Sequence, residues 1–126
     1  MIERIADMPP GTLGMRVWGD VTREDYVDGL MPALQEAVDT DGELRLVFQI
    51  GPDFGNFTAG MMAADTTKGL SFGVGNWSKW KRMAVVTDVD WLRHAMQLFG
   101  WMTPGEQRLF SLAELDQAKE WVDQGR

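Results

Sequence analysis

The stretch Trp80–Trp101, WKRMAVVTDVDWLRHAMQLFGW, decides the fold of this chain. Its segment Met83–Thr87 is almost continuously apolar and rich in β-branched residues, which is typical of a strand covered on both faces. Asp88 follows at a position suited to a helix N-cap, and apolar side chains then recur at helical spacing from Val89 to about Phe99. A buried strand that leads through a short turn into an amphipathic helix indicates an α/β domain.

A second strand of the same kind precedes this stretch. Leu44–Ile50, LRLVFQI, is also rich in β-forming residues and nearly continuously apolar. Before it, a helix is predicted from Thr22 to about Asp39, with Asp25 completing a weak form of the capping box. Pro32 lies inside that helical pattern, so we expect it to kink the helix or to separate its first turns.

The remaining elements follow from shorter patterns. They are an N-terminal antiparallel pair (Ile2–Asp7 and Leu13–Trp18), a helix from Thr58 to about Asp65, a short strand Gln107–Phe110, and a last helix opened by the capping box Ser111-Leu112-Ala113-Glu114. The order β-β-α-β-α-β-α-β-α predicts a single α/β domain over residues 1–126. Right-handed crossovers would give a mostly parallel sheet with packed helices and the N-terminal pair at one edge.

Composition is that of an ordinary globular protein, with 44% hydrophobic and 25% charged residues among 126. The absence of cysteine excludes disulfides, thiol catalysis and thiolate metal sites, and it is compatible with the cytosol. The N-terminal residues have no apolar core of signal-peptide length, and no apolar run approaches the ~18 residues of a membrane span. We therefore expect a soluble, cytoplasmic protein.

The net charge of −7 is concentrated in one half of the chain. Residues 1–57 carry four basic and eleven acidic side chains, whereas residues 58–126 carry eight of each. A protein that binds nucleic acid generally needs a basic face that displaces counterions from phosphates. The charge pattern therefore argues against nucleic acid as a partner.

Four short motifs, in register over the whole chain, resemble those of the SpoIIAA-like (STAS/CRAL-TRIO-like) bacterial family. They are Gly19-x-x-Thr22-x-x-Asp25-Tyr26, Phe54-Gly55, Lys81-Arg82-Met83-Ala84-Val85-Val86-x-Asp88 leading to Trp91, and Ala118-x-x-Trp121. The resemblance implies a STAS-like α/β fold related to the lipid-binding CRAL-TRIO domains. Because the family looks largely uncharacterised, the resemblance implies an architecture more than an activity.

One departure from related proteins concerns phosphorylation. Anti-sigma-factor antagonists of similar fold carry a phosphorylatable serine at the start of the second helix, whereas this chain reads Asp53-Phe54-Gly55-Asn56-Phe57-Thr58 there. Thr58 is the one hydroxyl in that stretch. A threonine at a helix start more often serves as an N-cap than as a phosphorylation site.

No set of residues indicates catalysis. The loop Gly51–Gly55 lacks the lysine and the glycine spacing of a phosphate-binding loop. His94 has no assignable partner, and Asp88 and Asp90 are explained by helix capping and the helix dipole. We therefore predict a protein that is not an enzyme and that has neither a cofactor nor a metal site.

The chain does have a surplus of large apolar side chains around the third predicted helix. One apolar stripe along this helix is formed by Trp91, Ala95, Leu98, Phe99 and Met102. Leu92 and Met96 widen the apolar arc beyond the ~100° that packing on a sheet requires. Either the second and third helical regions bury one another, or they border a groove for a hydrophobic small molecule or lipid. The candidate groove residues are Met61, Met62, Phe72, Trp77, Trp80, Trp91, Leu92, Met96 and Phe99.

The same surface allows two other kinds of partner. It could mediate a protein interaction, either self-association as a homodimer or docking of a regulator, or it could make peripheral contact with a membrane. Three basic residues lie beside Trp77 and Trp80 in the sequence, namely Lys79, Lys81 and Arg82. This combination suits an interface with an apolar centre and a charged rim.

Overall fold

Two parallel strands, β3 (Leu44–Ile50) and β4 (Trp80–Thr87), form the centre of a five-stranded sheet. The computed structural model describes residues 1–52, 79–99 and 105–124 of the chain. In these ranges β2 (Leu13–Val17) pairs parallel with β3, and β5 (Glu106–Phe110) pairs parallel with β4. β1 (Ile2–Arg4) pairs antiparallel with β2, which gives the order β1-β2-β3-β4-β5. The predicted α/β fold, with its mostly parallel sheet and N-terminal pair at one edge, is confirmed.

Three helices accompany the described strands. A helical segment starts at Arg23, passes through a π-helical turn at Asp25–Leu30 and continues as α1 (Met31–Asp41). α2 (Asp90–Phe99) follows β4, and a 3₁₀ turn, Leu112–Glu114, leads into α3 (Leu115–Asp123). The helix predicted from Thr58 to Asp65 lies outside the described residues.

The first helix changes its geometry where the sequence places Pro32. The π-helical turn ends at Leu30, and Pro32 is the second residue of α1. A π-helical turn inside a helix takes up one additional residue. The helical segment is continuous from Arg23 to Asp41, so the first turns are not split off as the sequence allowed, and the change of helical geometry lies just before Pro32.

The helices cover both faces of the sheet. α1 packs through Leu34 and Val38 on the face that carries Leu44 and Leu46. α3 packs through Ala118 and Val122 on the opposite face, over Val47, Ala84 and Val86. β3 is nearly continuously apolar, and β4 is apolar from Met83 to Val86, because their side chains alternate between these two buried layers.

None of the helices in the described ranges is long and apolar enough to cross a membrane.

Candidate functional site

α2 is fixed at the carboxyl ends of two neighbouring strands by Arg93. Its Nη1 donates to the carbonyl oxygen of Thr87 at 2.8 Å and to that of Phe110 at 3.1 Å. Thr87 also orders the turn before the helix, since its Oγ1 accepts from the Val89 N–H at 3.1 Å. One charged side chain thus joins the ends of β4 and β5 to α2 and limits the rotation of the helix about its axis.

The side of α2 that faces the sheet carries Leu92 and Met96. Leu92 is half-buried and packs against the cluster formed by Val17, Val21 and Tyr26. Met96 is also half-buried, with its Sδ 4.0 Å from Nε2 of Gln107 on β5. These two side chains, which the sequence placed at the border of the apolar arc, therefore contact the rest of the domain together with Arg93.

The other side of α2 leaves large apolar side chains in solvent. Trp91 is 52% exposed and Leu98 is 67% exposed. Seven residues separate them, so they lie on the same face of the helix. Among the described residues, Met1 is the one other large hydrophobic side chain that is comparably exposed. Within residues 1–52, 79–99 and 105–124, the exposed large apolar side chains other than Met1 thus lie on α2.

An open groove runs between α2 and β5. Its volume is about 390 Å³, and it is lined by Met96, Gln97, Gly105, Gln107, Arg108 and Leu109. Apolar atoms of Met96 and Leu109 are combined there with the amides of two glutamines. Sequence reasoning did not assign Gln107 or Leu109 to a site, because their approach to α2 depends on the position of β5 in the sheet.

Trp80 is separated from Trp91, another of the described candidates. It is the first residue of β4, lies opposite Leu44 and packs against the core cluster beneath α1. Trp91 follows the other end of the same strand, and eight strand residues span about 23 Å. The structure therefore does not bring Trp80 together with Trp91 in one pocket.

The other predicted site residues are placed as follows. Phe99 is the last residue of α2. The remaining candidates lie outside the described residues: Met61, Met62, Phe72, Trp77 and the candidate phosphorylation site Thr58.

Arg82 from the predicted basic rim is engaged within the domain. Its guanidinium lies 4.8 Å from the centre of the Trp121 ring, and its Nη1 donates to the carbonyl oxygen of Trp121 at 2.7 Å. Its Nε forms an ion pair with Oε2 of Glu106 at 2.9 Å. These contacts connect β4 to α3 and to β5, so Arg82 serves the packing of the sheet.

The polar groups at the carboxyl edge of the sheet are used in local hydrogen bonds. Asp88 Oδ1 accepts from the Leu112 N–H at 3.2 Å, and Glu114 Oε1 accepts from the Ser111 N–H at 2.8 Å. Hydrogen bonds from the Ser111 backbone and side chain, and then the charges of Arg93 and Arg108, lower the pKa of Glu114. The bond from Leu112 ties the loop after β4 to the loop after β5, a link that sequence spacing did not reveal.

His94 is exposed on α2. Across residues 1–52, 79–99 and 105–124, no three His, Cys, Asp or Glu side chains are grouped so that they could hold a metal ion.

These elements define a class of protein: an α/β domain with a mostly parallel five-stranded sheet and helices on both of its faces. The SpoIIAA-like family model matches residues 12–123, and the chain belongs to the SpoIIAA-like family. No curated protein matches the chain.

A solved structure shares the architecture. It is the crystal structure of an uncharacterised protein of the DUF3478 family with a SpoIIAA-like fold, from Shewanella loihica PV-4. The two structures superpose with a TM-score of 0.68 at 22% sequence identity, over 96% of this chain and 93% of that one. This similarity concerns the fold alone.

Proposed function

We propose that this protein is a non-enzymatic binding module that takes a hydrophobic small molecule or a lipid tail against α2. The observation that carries the proposal is the exposure of Trp91 and Leu98 on a helix whose opposite side already packs on the core. Transfer of such apolar surface from water to an apolar ligand is favourable by ~25 cal/mol for each Å².

The surroundings of α2 support a ligand of modest size. The groove of about 390 Å³ on the Met96 side of α2, which is not lined by Trp91 or Leu98, has the volume of a small-molecule site. Methionine adapts its shape to irregular apolar ligands, and tryptophan combines a large apolar ring with one polar group. The sequence-based candidates for the other side of the binding groove are Met61, Met62, Phe72 and Trp77.

A direct test combines detection of a bound ligand with titration. We expect native mass spectrometry of the protein purified from cells to detect a bound lipid-like molecule. We also expect a fluorescent fatty acid to bind the delipidated protein in a saturable manner. The double variant Trp91→Gln/Leu98→Gln should weaken that binding by about tenfold or more, since both apolar contacts are lost.

Ala113→Gln provides the matched control, because Ala113 is exposed in the 3₁₀ turn before α3. This variant should bind the fatty acid like the wild type. Clean mass spectra together with a flat titration would reject the proposed ligand. Unchanged affinity in the double variant would place any binding away from the Trp91 and Leu98 face of α2.

The alternative function is a protein-interaction module in which the Trp91 and Leu98 face docks a regulator or a second copy. It is favoured by the exposure of these two side chains, since tryptophan is enriched among the residues that dominate protein interfaces. Under this alternative the double variant loses association with the partner, whereas the fatty-acid titration of the wild type is flat.

A further inference from the structure

The groove between α2 and β5 has a single charged residue, Arg108, among its described lining residues. The rest of this lining contains apolar side chains, from Met96 and Leu109, and neutral amides, from Gln97 and Gln107. A pocket of this composition selects ligands that are mostly apolar and carry a group complementary to its one charge. The matching ligand therefore combines an apolar part with one negatively charged group.

The guanidinium of Arg108 is exposed and has no hydrogen bond or ion pair in the part of the chain that the structure describes. Its Cζ lies 5.3 Å from the centre of the Phe110 ring, a cation–π contact that leaves the N–H donors for an oxyanion. By contrast, Arg45, Arg82 and Arg93 donate to main-chain carbonyl groups. Arg108 thus has hydrogen-bonding capacity that the fold does not use.

The position of the groove brings Arg108 and Leu109 to the same space. Successive side chains of a strand point to opposite faces of the sheet, so Arg108 belongs to the face covered by α3 and Leu109 to the other face. Residues 107, 108 and 109 all line the groove, which therefore borders β5 from its side and not from one face alone. A ligand in the groove can contact a charged group of one face and an apolar group of the other.

The carboxylates next to Arg108 already have partners. Oε2 of Glu106 forms an ion pair with Nε of Arg82 at 2.9 Å, and Oε1 of Glu114 accepts from the Ser111 N–H at 2.8 Å. These contacts reduce their competition with a bound anion for the guanidinium. No ligand contact is assigned to Gln107, because it is already engaged, with Nε2 4.0 Å from Sδ of Met96.

We propose that this groove binds a small amphiphile whose single anionic head group, a carboxylate or a phosphate, contacts Arg108 and whose short apolar chain lies against Met96 and Leu109. A guanidinium binds either oxyanion through paired N–H groups. The volume of about 390 Å³ is in the range of small-molecule sites. Neither Trp91 nor Leu98 lines the groove, so the inference does not depend on the proposed function.

Isothermal titration calorimetry with octanoate and octyl phosphate tests the site, because these probes share an apolar chain and differ in the head group. We expect saturable binding of at least one of them, with a Kd below ~1 mM. The tighter of the two identifies the preferred head group. Octanol lacks the charge and inorganic phosphate lacks the chain, so each should bind about tenfold more weakly or worse than its amphiphilic counterpart.

Three variants locate the binding. Arg108→Gln should weaken it by about tenfold or more, because the head group loses its charged partner. Arg23→Gln is the matched control, since it removes the same charge from an exposed arginine outside the sheet, and it should bind like the wild type. Trp91→Gln/Leu98→Gln should also bind like the wild type. Circular dichroism verifies folding, and the comparison of octanoate with octanol on the wild type decides if Arg108→Gln does not fold.

Four results would overturn the proposal. They are no saturable binding of either amphiphile up to ~10 mM, equal affinities of folded Arg108→Gln and Arg23→Gln, octanol binding as tightly as octanoate, and inorganic phosphate binding as tightly as octyl phosphate. Binding that is lost in Trp91→Gln/Leu98→Gln and kept in Arg108→Gln would assign the amphiphile to the Trp91 and Leu98 face. That result would support the proposed function while overturning the present inference.

Discussion

Arg45 and Arg82 lie opposite each other on β3 and β4, and both donate hydrogen bonds to the last carbonyl groups of α3. Arg45 Nη1 donates to the carbonyl oxygens of Val122 at 2.7 Å and Gln124 at 2.6 Å, while Arg82 Nη1 donates to that of Trp121. α3 has no basic residue in its own last turn. Two strand arginines therefore satisfy the carbonyl groups and the negative dipole end of this helix.

Replacement of Arg45 by methionine should destabilise the protein by about 2–4 kcal/mol, because buried carbonyl groups lose their donor and Glu43 loses its ion-pair partner. The Arg45 side chain is only 4% exposed, whereas that of Arg82 is 19% exposed. Arg82→Met should therefore cost less, about 1–2 kcal/mol. Urea denaturation measures both values.

The control for this pair is Arg16→Met. Arg16 is exposed and forms a 3.5 Å ion pair with Glu3, so its replacement should change stability by about 0.5 kcal/mol or less. Equal effects of Arg16→Met and Arg45→Met would show that the link to α3 contributes nothing to stability.

Gly105→Ala should be more harmful than Gly42→Ala, although both glycines have positive φ, 76° and 73°. A Cβ at residue 105 would lie 2.6 Å from the carbonyl oxygen of Trp80, whereas one at residue 42 would meet nothing within 4 Å. Gly42→Ala should cost about 1–2 kcal/mol for the backbone conformation alone. Gly105→Ala should cost about 1–3 kcal/mol more, since main chain has to move. Thermal unfolding of both variants tests the difference.

The two sides of α2 should respond differently to truncation. Leu92→Ala removes a side chain that packs beside Tyr26, and it should cost about 1–3 kcal/mol. Leu98→Ala removes an exposed side chain and should change stability by about 0.5 kcal/mol or less. Chemical denaturation distinguishes these outcomes, and the reverse order of effects would mean that α2 presents its other side to the sheet.

The start of the first helix should make stability depend on pH. Partial burial opposes ionisation of Asp25, but hydrogen bonds from the Thr22 backbone and side chain, together with the N-terminal ammonium group, lower its pKa below the ordinary 3.8. The carboxylate therefore stabilises the fold above that value, and this contribution disappears as the pH falls through the lower, folded-state pKa.

Asp25→Asn should accordingly reduce stability at pH 7 by about 1 kcal/mol or less. The difference from the wild type should shrink progressively below about pH 4. Urea denaturation between pH 7 and pH 2 measures the difference, with the exposed Asp28→Asn as control on the same helical segment. A difference that is constant over this range would contradict the assigned role of the carboxylate.

Much of the fold was predictable from local pattern, whereas the site was not. β3 and the helix after β4 were predicted nearly to the residue, since buried parallel strands and amphipathic helices leave strong periodic signals. β4 begins at Trp80 instead of the predicted Met83, and β5 begins at Glu106 instead of Gln107. The sequence at these strand ends is polar or irregular, so pairing with the neighbouring strand determines the residue at which each strand begins.

The sequence by itself determined the order of the described elements, the mostly parallel sheet and the presence of an apolar surplus on α2, because each depends on residues close together in the chain. Only the tertiary structure decided that Leu92 and Met96 face the sheet while Trp91 and Leu98 face solvent. A helix with apolar residues around so much of its circumference can pack in several rotations. Its orientation is selected by contacts that join distant segments, above all those of Arg93 to the ends of β4 and β5.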